Sequence, residues 1–576
     1  MTELTSRQSE EAARAPAQGR FIARAAAATA ALTVAGAVLG LVRDQTIAHL
    51  YGAGPATDAF LVSWTVPEIA ATLLIEDAMA LVLIPAFSLA LSRRAARTGP
   101  AGDGAPPPDP VRELLSATFP RLLLGLACCS GLLLAGAPFL VRVLAPGLPE
   151  PGIAVDCTRL TAVSLLTFGV AGYLSAALRA HRRFVTPAAI YVVYNLGIVA
   201  TVLALHDLWG VRAAAAGVAL GGFLMVLLQL PAFLRRLPPR SAPRGSRRHA
   251  TALSPGGAPG PDAFPGPAPG GRTVTRQARR AARTAALPLA TVLLPVALFT
   301  LSRQSQVLVE RFLASSLPAG AISHLNYAQK VAQIPMVLSL MICTVTFPLV
   351  ARAVAEGEEE QARRRVERDL AGAALVVLLG AAYVAACAPQ IIAVLFQRGA
   401  FGAGDTAATA SVMRVYALGL LGHSMVGALV RPYFSTGRPT WYPAATMAAG
   451  LLTTVVAGAA LAGPWGVHGI AAANALGISV TAALLLRGTG ARAGRLPTVG
   501  VELRRVATGL ARLVLAAAGA TAAGWAVAPL CGPPLAGAAV GGLVVVAAFC
   551  ATAFATGAPE VPRLLSTLDR RLRHDR

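Results

Sequence analysis

Fourteen runs of apolar residues, each about twenty residues or longer, recur along this chain, and few folds can hold them. They lie near 22–48, 58–90, 118–145, 158–180, 187–207, 211–234, 286–312, 321–351, 369–396, 408–431, 441–462, 467–487, 504–527 and 535–556. The hydrocarbon core of a bilayer takes about 20 residues of helix. A backbone inside it must satisfy its own hydrogen bonds, so repeated runs of this length predict transmembrane helices. Charged residues make up only 13% of the 576 residues, about half the share that covers a water-facing surface, and mean hydropathy is +0.62. A soluble multi-domain enzyme is excluded on that ground, as is disorder over most of the chain, which needs low hydrophobicity. The predicted fold is all-α integral membrane, with about 14 transmembrane helices.

The net charge of +23 is carried almost wholly by arginine, since Lys330 is the one lysine in the sequence. In a soluble protein such an excess points to nucleic acid; here hydropathy rules that partner out, and cytoplasmic loops are where Lys and Arg collect. With the N-terminus inside, the even-numbered loops are basic. They carry Arg93, Arg94 and Arg97; Arg179, Arg182 and Arg183; the stretch 235–285; Arg352 with Arg363, Arg364 and Arg365; Arg431 and Arg438; and Arg487, Arg492 and Arg495. The odd loops PGLPEPGIAVD, HDLWG, LASSLPAGA and AGPWG contain no arginine, and QRGAFGAGD contains Arg398 alone. The alternation predicts a multi-pass membrane protein with both termini cytoplasmic. Trp209, Trp441 and Trp465 fall at predicted helix ends, where an aromatic belt belongs. No cleavable signal is visible, and the first apolar run reads as a retained helix.

The predicted organisation is a cytoplasmic tail over 1–20, an N-lobe of helices 1–6 over 21–234, a linker over 235–285, a C-lobe of helices 7–12 over 286–490, and helices 13–14 with a basic tail over 491–576. The linker is rich in Pro, Gly and Arg, has no core-forming pattern and reads as disordered. Its arginines are expected to sit near anionic lipid headgroups. Arg276 to Arg283 (RQARRAAR) forms a candidate interfacial helix. EGEEEQARRRVERD (356–369) predicts a helix with Glu359–Arg363 and Glu360–Arg364 pairs.

The two lobes echo each other. APFLVRVLAPGL (137–148) resembles APQIIAVLFQRGAF (388–401), and GVRAAAAGVAL (210–220) parallels GVHGIAAANAL (466–476). More weakly, the stretch from Arg43 parallels the stretch from Arg303. Six helices per repeat give both lobes the same orientation, hence two lobes in a pseudo-twofold arrangement. That is a secondary-transporter plan with the substrate between the lobes.

Charges inside the membrane cost at least about 2.5–3.5 kcal/mol and usually face a cavity. Arg43, Asp44, Asp58, Glu68, Glu76 and Asp77 are the candidates in the first lobe; Arg303, Glu310, Arg311, Lys330 and Arg414 are those in the second. Glu310 and Arg311 read as interfacial, and Arg414 as a structural pair. Arg43, Arg303 and Lys330, brought together, would form a cationic cleft suited to a phosphate-bearing ligand. No catalytic constellation competes with this. There is no Walker loop, the eight histidines lack metal spacing, and the seven cysteines are scattered without a Cys-x-x-Cys pair. Neither an enzyme, a cofactor nor a metal site is expected.

At the level of motifs, GAVLGLVRDQTIAHLYGAGPATDAFLVSWTVPEIAATLLIEDAMALVLIPAF (36–87), NYAQKVAQIP (326–335), LFQRGAFGAGDT (395–406) and RPYFSTGRPTWYP (431–443) resemble the MurJ (MviN) lipid II flippase family, a branch of the multidrug/oligosaccharidyl-lipid/polysaccharide exporter superfamily. The resemblance runs over nearly the whole chain. It implies that Arg43, Asp58 and Glu76 stand at family functional positions, and that Lys330 replaces the cavity arginine of helix 8, keeping the charge but losing the planar fork. Two further family arginines are Ala37 and Ala71 here, and Glu68 is added. A sodium site found in some members would need acidic or amide groups in helices 7, 11 and 12, of which Asn474 alone suits.

The implied function is translocation of a polyprenyl-pyrophosphate-linked glycan, with lipid II as default cargo, by alternating access. Arg43, Asp58, Glu76, Arg303 and Lys330 are the candidate cavity residues. The alternatives are a paralogous exporter of another lipid-linked saccharide or specialised metabolite, and a non-transporting scaffold of the cell-wall machinery. Cell-wall synthesis proteins are candidate partners.

Overall fold

A computed structural model describes residues 2–96, 109–236, 273–356, 358–435, 440–489 and 500–557. Most of the linker, residues 237–272, and the tail beyond 557 lie outside the described residues, as do Arg97, Arg438, Arg492 and Arg495. The described residues are helical with no strand, and eleven helices among them are long and apolar enough to cross a membrane.

The first half contains α1 (Thr2–Tyr51), α2 (Pro55–Ala71), a π-helical turn (Thr72–Asp77), α3 (Ala78–Ala96), α4 (Pro110–Leu144), α5 (Pro151–Ala180), α6 (Val185–Trp209) and α7 (Arg212–Leu234). The second contains α8 (Thr273–Ala314), α9 (Ala321–Ala332), α10 (Ile334–Ala355), α11 (Glu359–Ala386), α12 (Ala388–Phe396), α13 (Ala403–Ser435) and α14 (Tyr442–Gly488). After them come α15 (Leu503–Val527) and α16 (Pro534–Ala555), which pack on each other and on α11 and α12.

The repeat is visible in the packing. In the first half α1 lies on α6, α2 and α4 on α5, and α5 and α6 on α7; in the second α8 lies on α14, and α9, α11 and α14 on α13. Helix α14 has 47 residues, about 70 Å of helix. That is twice the thickness of a membrane core, and the helix reverses at Gly466 (φ 54°, ψ −133°). Gly210, between α6 and α7, has φ 53° and ψ −139°. The two paralleled motifs therefore turn on the same glycine, in a backbone region that a side chain disfavours.

Three apolar runs that read as single spans are interrupted. The run 58–90 becomes α2, the π turn and α3, following Pro67, whose missing N–H weakens the ladder. The run 321–351 breaks at Gln333, two residues before Pro335, and 369–396 breaks at Cys387, before Pro389. Residues 273–285, expected to be the end of the disordered linker, instead open α8; the Arg- and Ala-rich stretch continues that helix, as its propensity favours. On α11, Glu360 pairs with both Arg363 and Arg364, so Glu360–Arg364 forms and Glu359–Arg363 gives way to an i,i+3 pair.

The π turn needs a close neighbour. Gly172 of α5 has no room for a Cβ, because the carbonyl of Leu74 already occupies that place. Gly172→Leu is expected to destabilise the fold by about 1–3 kcal/mol through overpacking, read as a lowered thermal midpoint in detergent; an unchanged midpoint would show that the contact is slack.

Outward-facing side chains are apolar: Leu124, Leu132 and Phe139 on α4 and Leu515 on α15 are exposed. Such a surface suits lipid rather than water. Trp209, Trp441 and Trp465 are exposed too, at the end of α6, the start of α14 and the Gly466 bend.

Candidate functional site

Arg43 and Lys330 come from opposite halves at matching depth. Arg43 stands eight residues before the end of α1, about 12 Å along the axis; Lys330 stands nine residues after the start of α9, about 14 Å from the same end. Those ends adjoin, since Gly320 lies against the Ala53 carbonyl.

The two cations share one carboxylate. Arg43 donates from Nε (3.0 Å) and Nη2 (2.8 Å) to Asp44 Oδ1, and Lys330 Nζ lies 3.4 Å from Asp44 Oδ2. Arg43 Nη1 donates to Asn195 Oδ1 at 3.0 Å, and the Asn195 amide donates to the carbonyls of Gly36 and Tyr191, which fixes its orientation. Trp64 of α2 supports both cations, its ring centroid 4.6 Å from the Arg43 guanidinium and 5.9 Å from the Lys330 ammonium. The buried indole N–H of Trp64 has no hydrogen-bond partner. Side-chain exposure is 11% for Arg43 and Asp44 but 27% for Lys330, so the lysine is the most reachable member. Glu68 is a further electrostatic neighbour of Arg43. The cluster is thus compensated by acidic groups, rather than a bare positive cleft.

Asp58 engages different partners. From the first turn of α2 its carboxylate accepts from the backbone N–H groups of Gly320 and Ser323, each at 2.7 Å, and from the Ser323 hydroxyl. It therefore caps the N-terminus of α9, where orphan donors and the helix dipole favour an anion. Gly320 has φ +91°, and a Cβ there would meet the Ala53 carbonyl. At the same end Ala400 N–H donates to the His49 carbonyl (2.8 Å), and Gly147 N–H to the Ser315 hydroxyl (3.4 Å). Each of these contacts joins the first half to the second.

The remaining sequence candidates separate. Glu76, in the π turn, accepts from the Tyr191 hydroxyl at 2.7 Å, within the first half. Arg303 is half-buried on α8, with His423 of α13 as an electrostatic neighbour. Arg414 donates to the Ala385 carbonyl and stacks over Trp525, a structural pairing with α11 and α15.

Glu310 and Arg311, expected as interfacial charges, are both buried inside the protein, 2% exposed. Glu310 accepts from the Tyr416 hydroxyl (3.0 Å) and the Asn474 amide, and Asn474 Oδ1 faces His423 Nε2 at 3.2 Å. Arg311 donates to the Ile322 carbonyl and Asn326 Oδ1. Their i to i+1 spacing gave no hint that both would turn inward. Helix α8, the seventh predicted span, thus does bring a carboxylate to Asn474.

Sequence reasoning missed two members of the central cluster, Asn195 and Trp64, and gave Asp44 no role of its own. Asp44 was one charge among many, although its position beside Arg43 is a signal. Asn195 is an isolated amide in an otherwise apolar helix. Trp64 lies inside the bundle, away from the belt positions that draw notice.

Comparison with known proteins gives the chain its relatives. The family model described as "Lipid II flippase MurJ" matches residues 47–531. The lipid II flippase MurJ of Burkholderia cenocepacia is 24% identical over 72% of this chain and 73% of its own length. The probable lipid II flippase MurJ of Haemophilus influenzae is 27% identical over 79% and 84%. Among solved structures, a lipid II flippase MurJ in an inward closed conformation superposes with TM-score 0.67 at 15% identity, covering 93% of this chain and 99% of that one. An inward-facing MATE family multidrug transporter of the MOP superfamily gives 0.56 at 14% identity, over 79% and 93%. At such identities the structural likeness speaks for the fold alone.

Proposed function

The chain belongs to the lipid II flippase MurJ family, and we propose that it translocates a polyprenyl-pyrophosphate-linked glycan, with lipid II as the cargo, across a bacterial cytoplasmic membrane. It is a transporter, and no covalent bond is made or broken. The observation that carries this reading is the meeting of Arg43 and Lys330, one from each half, on Asp44. A pyrophosphate offers the same kind of acceptor as that carboxylate, with more charge.

The mechanism is an exchange of partners. In the closed arrangement Asp44 holds both cations and so ties α1 to α9. When the halves part, Lys330, the more exposed cation, meets the cargo phosphate first; Arg43 follows, oriented by Asn195 and Trp64. The unpaired indole N–H of Trp64 is a further donor for a phosphate oxygen. The polyprenyl tail stays in lipid, against the apolar outer faces. Return of the cations to Asp44 then releases the headgroup after the halves have rocked to the other side.

In this reading both termini are cytoplasmic, following the arginine-rich loops. The end closed by Asp58, His49 and Ser315 then faces the periplasm. Cell-wall synthesis proteins that supply and consume the cargo are the partners of that cycle. Ala37 and Ala71, where the resemblance implies arginine, favour a second reading in which the cargo is another lipid-linked saccharide.

The test is replacement of the essential lipid II flippase in a bacterial host. Rescue of growth and wall synthesis by this chain is expected. Failure to rescue by a chain that is produced and membrane-inserted removes lipid II as cargo.

A further inference from the structure

A second cationic site lies away from the seam between the halves, in a cavity of about 630 Å³ between the first turns of α11 and α15. Its walls carry Arg363, Arg364 and Arg368 from α11 and Arg505 and Arg512 from α15, against two glutamates. Glu360 is occupied by Arg363 and Arg364. Glu367 is turned to the start of α15, where it accepts from the Glu502 backbone N–H at 2.8 Å. Arg505 reaches Glu502 only at 3.9 Å, and Arg512 gives one N–H to the Gly557 carbonyl. The Nε of Arg363 is buried without a partner. The cavity therefore holds more cationic donors than its own carboxylates neutralise.

Its deeper wall is apolar, formed by Val506, Leu510 and Leu513. The lining spans residues 360–371 and 505–513, the first three turns of two candidate membrane spans. On that placement the arginines lie at the membrane–water boundary, with the buried apolar side chains of Val506 and Leu513 behind them. The volume is in the range of small-ligand sites, about 300–1,000 Å³.

We propose that this cavity binds the headgroup of an anionic phospholipid from the arginine-rich leaflet: the phosphate between α11 and α15, the acyl chains running into the surrounding lipid. Bound there, the lipid would bridge α15 to the second half at its charged end. The proposal rests on the membrane placement given above but not on the cargo.

The test uses the purified full chain in mild detergent, incubated with equal amounts of phosphatidylglycerol and phosphatidylcholine and examined by native mass spectrometry. Phosphatidylglycerol is expected to be retained in preference. The Arg368→Gln/Arg505→Gln double variant is expected to lose about thirtyfold in that affinity, since each arginine near an anionic surface contributes about fivefold. Arg505→Lys should retain most of it. The charge-matched control Arg93→Gln/Arg183→Gln, on exposed residues of the first half, should leave it unchanged. Equal retention of the two lipids, or equal losses in the two double variants, would overturn the site. Displacement of phosphatidylglycerol by equimolar inorganic phosphate would assign the arginines to a free anion and overturn the lipid. Unchanged thermal midpoints separate lost binding from lost fold. Because the readout is lipid retention, its failure and the failure of the flippase reading are distinguishable.

Discussion

Replacement of Lys330 or Arg43 by alanine is expected to abolish rescue of a flippase-depleted host, while the protein still reaches the membrane. Each substitution removes a hydrogen-bonded charge from a partly buried cluster, and truncating one partner of such a pair costs about 2–5 kcal/mol. That corresponds to a loss of about thirtyfold to several thousandfold in headgroup binding. The alanine variants also leave Asp44 with one cation instead of two, so closure of α1 on α9 weakens together with binding. Lys330→Arg is the discriminating variant. It keeps the charge and adds a planar fork matched to phosphate oxygens, so it should rescue at least as well as the native chain. If Lys330→Ala rescued fully, the shared-cation site would be excluded as the seat of transport. If Lys330→Arg failed while folding normally, the lysine would be acting through its shape or its tie to Asp44 rather than as a phosphate ligand.

The second large effect is expected at Asp58. Its carboxylate accepts hydrogen bonds from Gly320, the Ser323 backbone and the Ser323 hydroxyl, all in the opposite half. Bonds to a charged group contribute about 1.5–3 kcal/mol each. Asp58→Ala strips all three and leaves the start of α9 without its anion, so the closed end should open by several kcal/mol. Asp58→Asn keeps the shape but presents no charge, and should fall between. Spin labels at positions 207 and 398, both exposed, in a cysteine-depleted chain would read this by electron–electron distance measurement. A single short distance is expected in the native sequence and a longer, broader distribution in Asp58→Ala. Identical distributions would mean that the contacts of His49 with Ala400 and of Gly147 with Ser315 hold the closed end without Asp58.

Hydropathy made the spans legible because the cost of burying a polar backbone or charge in lipid is large enough to pattern the whole chain. The repeat was legible for a narrower reason: GVRAAAAGVAL and GVHGIAAANAL each begin at a glycine that must turn with positive φ, and Gly210 and Gly466 adopt nearly the same angles. Helix breaks inside apolar runs were not legible, because summed hydropathy is blind to the missing N–H of Pro67 or to the restriction that Pro335 places on its predecessor. Arg43 and Lys330 stood out as costly charges. Their common partner did not, because pairing between α1 and α9 is a property of tertiary packing that links residues nearly three hundred positions apart. The same holds for Glu310: a carboxylate next to an arginine reads as a surface pair until Tyr416 and Asn474 are seen to enclose it.

The account turns on cations from the two halves exchanging Asp44 for the phosphates of the cargo. The most direct measurement is binding of a short polyprenyl pyrophosphate, the matching monophosphate and the free alcohol to the purified chain, in parallel with Lys330→Ala and Asp44→Asn. The pyrophosphate should bind tightest in the native chain and lose that advantage in Lys330→Ala, and Asp44→Asn should bind it more tightly because the competing carboxylate is gone. Equal binding of pyrophosphate and alcohol, unchanged in Lys330→Ala, would contradict the account.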